Sequence, residues 1–436
     1  MGMTKKIVKI ICAFAALCLF ATAPVGVSTT NASAMSSKPL YNFEEIMTPV
    51  WEGAISYMET VLPVENEYGG IDPIQLLYPI NQVIEVKNAE LTVTYQKGID
   101  YAVSGGKLLI AEDGNIPVMS YDEFYPSVGQ NGMENKNGGY ICFHEGDFFH
   151  HRQIVVTYTH TESYEGYVPE EKGQLLPKVT EKLSKGEKLD LLVFGDSISV
   201  GANSSDLINA SPYMPIYPEL LAKQLKSVYG SKVNLTNPSV GGKGVEWGLK
   251  EINGILENQN NVDLAVLAFG MNDGAMYDLE FAQAMSALAE RVRERFPAAE
   301  IILVATMLPN PEARNYNLHQ AEFHDMMLEY CQEEGIAVAD VTAVHKSLLQ
   351  RKNYADMTGN NVNHPNDYMA RVYAQTLFAT LQQTVETSPS TDSDGQENGT
   401  FVKRLLSGCS STLSLTVGTM TALSASAITL KKKKDD

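Results

Sequence analysis

The sequence predicts an α/β unit, a three-layer sandwich around a five-stranded parallel sheet, preceded by an all-β sandwich. Three observations carry this. From about 186 to 386, short apolar runs alternate with amphipathic helical stretches, as strands joined by crossover helices do. From about 40 to 175, short runs rich in Tyr, Val, Ile and Thr are punctuated by Gly, Asn and Asp turns. The apolar run 191–194 stops at Gly195-Asp196-Ser197, which reads as a buried strand ending in a corner.

A length of 436 residues allows two or three domains, and 44% hydrophobic with 19% charged residues suits a globular chain. The net charge of −19 argues against nucleic acid as a partner, because phosphate backbones need Lys/Arg surfaces. Of the five cysteines, Cys12 and Cys18 fall in the leader; Cys142, Cys331 and Cys409 lie far apart and form neither a disulfide framework nor a zinc pattern. The sequence calls for no cofactor and no metal, and it does not specify an oligomeric state.

Residues 1–34 have the three parts of a secretory signal: Lys5, Lys6 and Lys9, an apolar core over 10–23, and Ala32-Ser33-Ala34 as a cleavage site. The mature chain is therefore expected to begin near Met35. Strand candidates in the β region, 40–175, are 82–86, 90–95, 107–111 and 153–159, with turns at Gly105-Gly106 and Asp113-Gly114-Asn115. Cys142, His144, Asp147, His150 and His151 cluster here, but their spacing matches no metal motif. They read as a polar loop between strands, at a surface near the other domain.

In the α/β region the expected strands are 189–194, 232–236, 263–269, 300–306 and 336–341. The expected helices are 215–229, 245–258, 279–296, 316–334 and 366–384. Over 279–296, Phe281, Met285, Leu288, Ala289 and Val292 share one face, while Glu290, Arg291, Arg293 and Glu294 turn outward. The loops at the carboxyl ends of the strands gather on one rim, where open α/β sheets place their ligands. They hold Gly195-Asp196-Ser197, the run 237–244, Gly270-Met271-Asn272-Asp273, and 361–365 with His364. Together these supply a hydroxyl, an imidazole, a side-chain amide and glycine N–H groups, the inventory for acyl transfer. The glycine-rich run 241–244 has neither dinucleotide-binding nor P-loop spacing.

Those four blocks resemble the SGNH, or GDSL-type, hydrolase superfamily over about 186–384. The resemblance implies a flavodoxin-like SGNH fold and makes Ser197 the nucleophile and His364 the base. It places the oxyanion hole at the N–H groups of Ser197 and Gly242 and the amide of Asn272. One position departs from the pattern: the family's aspartate three residues before the histidine is Asn361 here. An amide can orient imidazole but does not stabilise imidazolium as a carboxylate does. Asn361, Asp356, Asp367 or a backbone carbonyl are the candidates to orient His364; the alternative is a Ser–His dyad. Some carbohydrate esterases of this superfamily also carry a β-sandwich ahead of the hydrolase domain and can lack the aspartate. Ser199 lacks the Gly-Asp context and is set aside. Trp247, Tyr213, Met214 and Tyr217 are candidates for a sugar-facing wall, or else pack at helix starts.

Residues 387–404 read as a polar linker, and 405–430 as an uncharged stretch long enough to span a membrane, closed by Lys431 to Lys434. The segment 405–436 is thus expected to tether the protein at the surface of a Gram-positive cell, with Cys409 a candidate for processing. The leading expectation is a secreted, surface-tethered serine esterase acting on acylated carbohydrate, acetyl being the favoured acyl group. The other readings are a lipase or thioesterase of the same fold, and an inactive carbohydrate-binding surface protein.

Overall fold

The computed structural model describes residues 40–127 and 132–383. The strand-rich region comes first. A short helix α1 (Phe43–Met47) leads into β1 (Ile55–Val61) and β2 (Gln82–Asn88). Two ribbons follow, β3 (Tyr101–Ser104) with β4 (Lys107–Ile110), then, after α2 (Tyr121–Phe124), β5 (Gly132–Glu134) with β6 (Tyr140–Cys142). Strand β7 (Ile154–Thr159) inserts between β1 and β2, antiparallel to both. The alternating stretch 90–95 is a turn, not a strand. The Asn88 side chain accepts from the N–H groups of Thr92 (2.9 Å) and Val93 (2.8 Å), and Leu91 takes a positive φ of 62°. Strand β1 escapes sequence reading because a bulge between Ser56 and Glu59 breaks its period of two.

The α/β unit starts with α3 (Pro177–Ser184), β8 (Leu189–Gly195), α4 (Ser197–Val200), α5 (Tyr217–Tyr229) and β9 (Val233–Thr236). It continues with α6 (Val245–Glu257), β10 (Leu264–Ala268), α7 (Asp278–Arg295), β11 (Glu300–Ala305) and α8 (Phe323–Glu334). It ends with β12 (Ala337–Asp340), α9 (Val341–Leu348) and α10 (Asp367–Thr380). All five strands are parallel, in the order β12-β11-β10-β8-β9. Period-two alternation sorts their side chains. Leu191, Val193, Leu264 and Val266 join one core with α5, α9 and α10; Leu192, Phe194, Ala265 and Leu267 join another with α6, α7 and α8. The strand order reverses between β8 and β10, so the crevice for a ligand opens where their loops leave the sheet. Those loops carry Ser197 and Asn272.

The helix expected at 316 begins only at Phe323. Gln320 holds the preceding segment as a loop, its amide donating to the carbonyls of Tyr316 (2.8 Å) and Met271 (3.2 Å). The leader 1–34, the linker 387–404 and the tail 405–436 lie outside the described residues. Among the described residues no helix is long and apolar enough to cross a membrane.

The β region and the α5/α9/α10 face share one hydrophobic core, with Val61, Leu76 and Tyr158 packed among Tyr217, Val344 and Tyr373. Buried polar groups fix that junction. Lys352, just after α9, donates to Glu59 of β1 at 2.7 Å, and neither side chain has any exposure. Glu59 also accepts from Tyr158 (2.7 Å) and from the Leu77 N–H (2.8 Å). Removing the cation leaves Glu59 buried without its partner charge, which costs about 3–5 kcal/mol. Lys352→Met should therefore lower the urea midpoint by that amount of unfolding free energy, as followed by circular dichroism. A change below about 1 kcal/mol would mean that Glu59 takes up a proton at little cost once the cation is gone.

Candidate active site

Gly195 ends β8 because nothing larger fits: a Cβ there would lie 2.2 Å from the Ala268 carbonyl oxygen. The next residue, Asp196, caps α4 by accepting from the Ile198 N–H at 2.9 Å, which places Ser197 at the first helical position. The loop after β9 is tied to this corner. Ser239 Oγ accepts from the Gly195 N–H (2.9 Å), and Asn237 donates to the Ser199 carbonyl (2.7 Å). Gly241 lies against Ser197, its ideal Cβ position 3.6 Å from Ser197 Cβ.

Ser197 Oγ lies 2.9 Å from His364 Nε2. The other ring nitrogen, Nδ1, faces two acceptors, Asn203 Oδ1 at 2.7 Å and Glu145 Oε2 at 3.1 Å. The amide orientation of Asn203 follows from its other edge, where Nδ2 donates to the carbonyls of Gly146 (3.0 Å) and Gly359 (3.3 Å). Asn360 Nδ2 is also 3.0 Å from Nδ1, but its hydrogens go to Asn363 Oδ1 (2.8 Å) and Glu145 Oε1 (3.1 Å). The network thus assigns the hydrogen to Nδ1 and leaves the Nε2 lone pair facing the serine hydroxyl. Burial pulls the Glu145 carboxyl up. The hydrogen bond and charge of His364, with the bonds from Asn360 and Asn203, outweigh it and hold Glu145 below the usual carboxylate range.

None of the three sequence candidates hydrogen-bonds the His364 ring. Asn361 donates to the Cys142 carbonyl (3.0 Å), Asp356 accepts from the Leu62 N–H (2.8 Å), and Asp367 accepts from the Ser205 N–H (2.8 Å). The first two clamp the segment carrying His364 onto the β region. Gln153 adds two bonds, donating to the carbonyls of Ala355 (3.0 Å) and Thr358 (2.8 Å). The two real partners were missed. Glu145 is 219 residues from His364 in the chain, inside the polar stretch whose other members drew attention as metal ligands. Asn203 follows α4 with no motif spacing.

Three donors are carried by the Ser197 corner and by the loops after the two strands flanking β8. The Ser197 N–H and that of Gly242 have no acceptor among the described residues. Gly242 takes φ of +70°, which favours glycine. Asn272 Nδ2 donates one hydrogen to the carbonyl of Lys243, the neighbour of Gly242, at 3.1 Å. Its Oδ1 accepts from the Tyr316 hydroxyl at 3.3 Å.

Two carboxylates are sealed under this site. Burial pushes Asp196 up to about 7, against the bond from Ile198 and helped by the charge of Asp273; burial likewise pushes Asp273 up to about 6. Between its ordinary 3.8 and about 7, native Asp196 keeps a proton that the unfolded chain has lost. Folding takes up a proton in that window, so stability falls as pH rises through it. Asp196→Asn keeps an acceptor for Ile198 and carries no charge. It should gain stability on the wild type as pH rises from about 4 to 8, measured by urea unfolding. A stability difference constant with pH would contradict this.

The other singled-out residues have structural places. Met214 is fully buried and cannot face a substrate, which corrects its assignment to a sugar-facing wall. Tyr217 is buried too, its hydroxyl 2.7 Å from Ser199 Oγ. Tyr213 is exposed, and Trp247 packs on Phe194 at 5.6 Å between centroids. His151 bonds Glu90 and Asp147, His150 Nε2 bonds the Ser211 carbonyl, and His144 stacks on Phe148.

Residues 193–372 match the GDSL-like lipase/acylhydrolase family. No curated protein matches the chain. Among solved structures the chain is similar to a two-domain esterase active on acetylated mannans, co-crystallised with mannopentaose. Identity is 18% and the TM-score 0.39, over 50% of this chain and 55% of that one. It is also similar to a lipolytic protein of the G-D-S-L family from Veillonella parvula, at 19% identity and TM-score 0.35, over 43% of this chain and 95% of that one. An acetylxylan esterase from Geobacillus stearothermophilus aligns at 17% identity and TM-score 0.37, over 46% of this chain and 97% of that one.

Proposed function

Because residues 193–372 form a GDSL-like lipase/acylhydrolase domain, a carboxylic ester hydrolase, we propose that the protein removes small acyl groups, acetyl foremost, from carbohydrate through an acyl-enzyme on Ser197. The observation that carries this is the 2.9 Å contact between Ser197 Oγ and His364 Nε2, with Nδ1 committed to Asn203 and Glu145. His364 takes the Ser197 proton as Oγ attacks the ester carbonyl. The oxyanion forms against the N–H groups of Ser197 and Gly242 and the amide of Asn272. These are donors held in place before charge develops, where losing one typically lowers the rate about 10²–10³-fold. His364 returns the proton to the departing alcohol, then takes one from water, which attacks the acyl carbon and frees the acid and Ser197. Glu145, held ionised, stabilises the imidazolium in both steps.

Carbohydrate as the alcohol is supported by the strand-rich region ahead of the hydrolase domain, the architecture that the sequence resembles. What decides the acyl group is the shape beside Ser197, since an acetyl group suits a tight site and a long chain a deep apolar cleft. The test is acetate release from acetylated oligosaccharides, beside turnover of short and long p-nitrophenyl esters, by wild type and Ser197→Ala. A preference for long chains rejects acetyl, and turnover that survives Ser197→Ala rejects the mechanism. The leader 1–34 and the tail 405–436 support export and tethering at the cell surface. Recovery of the protein in the cell-surface fraction with a new N-terminus near Met35 tests that part.

A further inference from the structure

Asn272 is usable as an oxyanion donor only in one of its two amide orientations. Flipped by a half-turn, it would point Oδ1 at the oxyanion and replace attraction by repulsion. The bond from Nδ2 to the Lys243 carbonyl favours the productive orientation, and a second contact acts on the other edge. There the Tyr316 hydroxyl meets Oδ1 at 3.3 Å. A hydroxyl has one hydrogen, and where it goes depends on what else the oxygen meets. Here Asn363 Nδ2 donates to the same oxygen at 2.6 Å, which occupies a lone pair and leaves the hydrogen for Asn272. Asn363 is turned in its own right by Asn360, whose amide donates to Asn363 Oδ1 at 2.8 Å and to Glu145 Oε1 at 3.1 Å. From Asn360 through Asn363 and Tyr316 to Asn272, every bond runs donor to acceptor in one sense.

We propose that Tyr316 and Asn363 are positioning residues, a one-way hydrogen-bond relay that starts beside Glu145 and His364 and fixes the Asn272 amide as an oxyanion donor. The loop placing Tyr316 is the segment that Gln320 keeps from becoming helix, its amide holding the Tyr316 carbonyl at 2.8 Å. Burial, with the charge of Asp196 beside it, pushes the Tyr316 phenol far up, so it remains a donor at every assay pH. The relay makes the oxyanion hole depend on the segment that carries the base, so the two halves of the site are assembled together. It rests on the ester-hydrolase reading above.

Three variants test it with p-nitrophenyl acetate. Tyr316→Phe removes only the hydroxyl and should lower kcat about tenfold, the worth of one hydrogen bond, with KM within about twofold. Asn363→Asp keeps the Tyr316 hydroxyl but offers it a carboxylate, the stronger acceptor. The hydrogen then turns away from Asn272, and kcat should fall by a similar factor. In an Asn272→Ala background, Tyr316→Phe should add no further loss, since the relay then has nothing to hold. Affinity for a boronic acid that adds to Ser197 should weaken in step with kcat, while the thermal midpoint stays near wild type. The proposal is overturned if Tyr316→Phe retains kcat within about twofold, or if its loss persists in the Asn272→Ala background. Turnover by wild type that Ser197→Ala abolishes establishes the underlying reading separately, so failure of the relay and failure of the hydrolase reading are told apart.

Discussion

Ser197→Ala and His364→Ala should each lower kcat on p-nitrophenyl acetate by about 10⁵–10⁶-fold, and the double variant should be no worse than either alone. The hydroxyl is a poor nucleophile until Nε2 takes its proton, and the ring at 2.9 Å has no other task in the step. Losing either member therefore removes the same unit. What remains should be a residual rate above water, of about 10³–10⁴, from the oxyanion donors and binding. Single-turnover assays with enzyme in excess measure it and avoid confusion with slow product release. Losses that multiply in the double variant would mean the two residues act in separate steps.

The half of the site that sequence made legible is the half built on local rules. Ser197 follows a buried strand and sits at a helix start, and Gly242 and Asn272 follow the next two strands, so parallel-sheet geometry alone brings them to one rim. His364 precedes the last helix of the same unit. What stayed hidden depends on packing across the junction. Glu145 follows β6, whose position is set by small clusters that join Ile141 to Val362 and Cys142 to Ala355, and by bonds such as Asn361 to the Cys142 carbonyl. Neither of these leaves periodicity or spacing in the chain. One signal was available: Asn361 at the family's aspartate position implies that a carboxylate, if used, comes from elsewhere. The strands fared the same way. The central strands of the parallel sheet are largely apolar runs, and all five strands lie within a residue of their expected bounds. The stretch 90–95 alternates like a strand but is folded back by the Asn88 side chain, a contact that outcompetes its propensity.

The choice of Asn at 203 also has a physical reason. Its Nδ2 edge must donate to two carbonyls, Gly146 and Gly359, so an aspartate there would set a carboxylate oxygen against both. The side chain can accept from Nδ1 but brings no charge, and Glu145 brings the charge while remaining half exposed. Orientation and charge, joined in one aspartate in a usual triad, are thus divided between two residues from two regions of the chain.

That division predicts the outcome of removing them. Glu145→Gln keeps an acceptor near Nδ1 and loses the charge, while Asn203→Ala loses the closer acceptor and frees Gly146 and Gly359. Each should lower kcat about 10–10²-fold, since one partner still holds the Nδ1 tautomer. Glu145→Gln with Asn203→Ala should approach the roughly 10⁴-fold loss seen when a triad loses its orienting acid, because only a half-exposed neutral amide then faces Nδ1 and it holds the ring and its tautomer weakly. KM should move little in any of the three, because both groups act through the His364 ring. Asn203→Ala also opens space beside Gly359, so thermal midpoints must accompany the rates; Glu145, on the rim, should leave stability near wild type. A Glu145→Gln enzyme with full kcat would show that Asn203 alone suffices and that the β region contributes packing but no charge to the reaction.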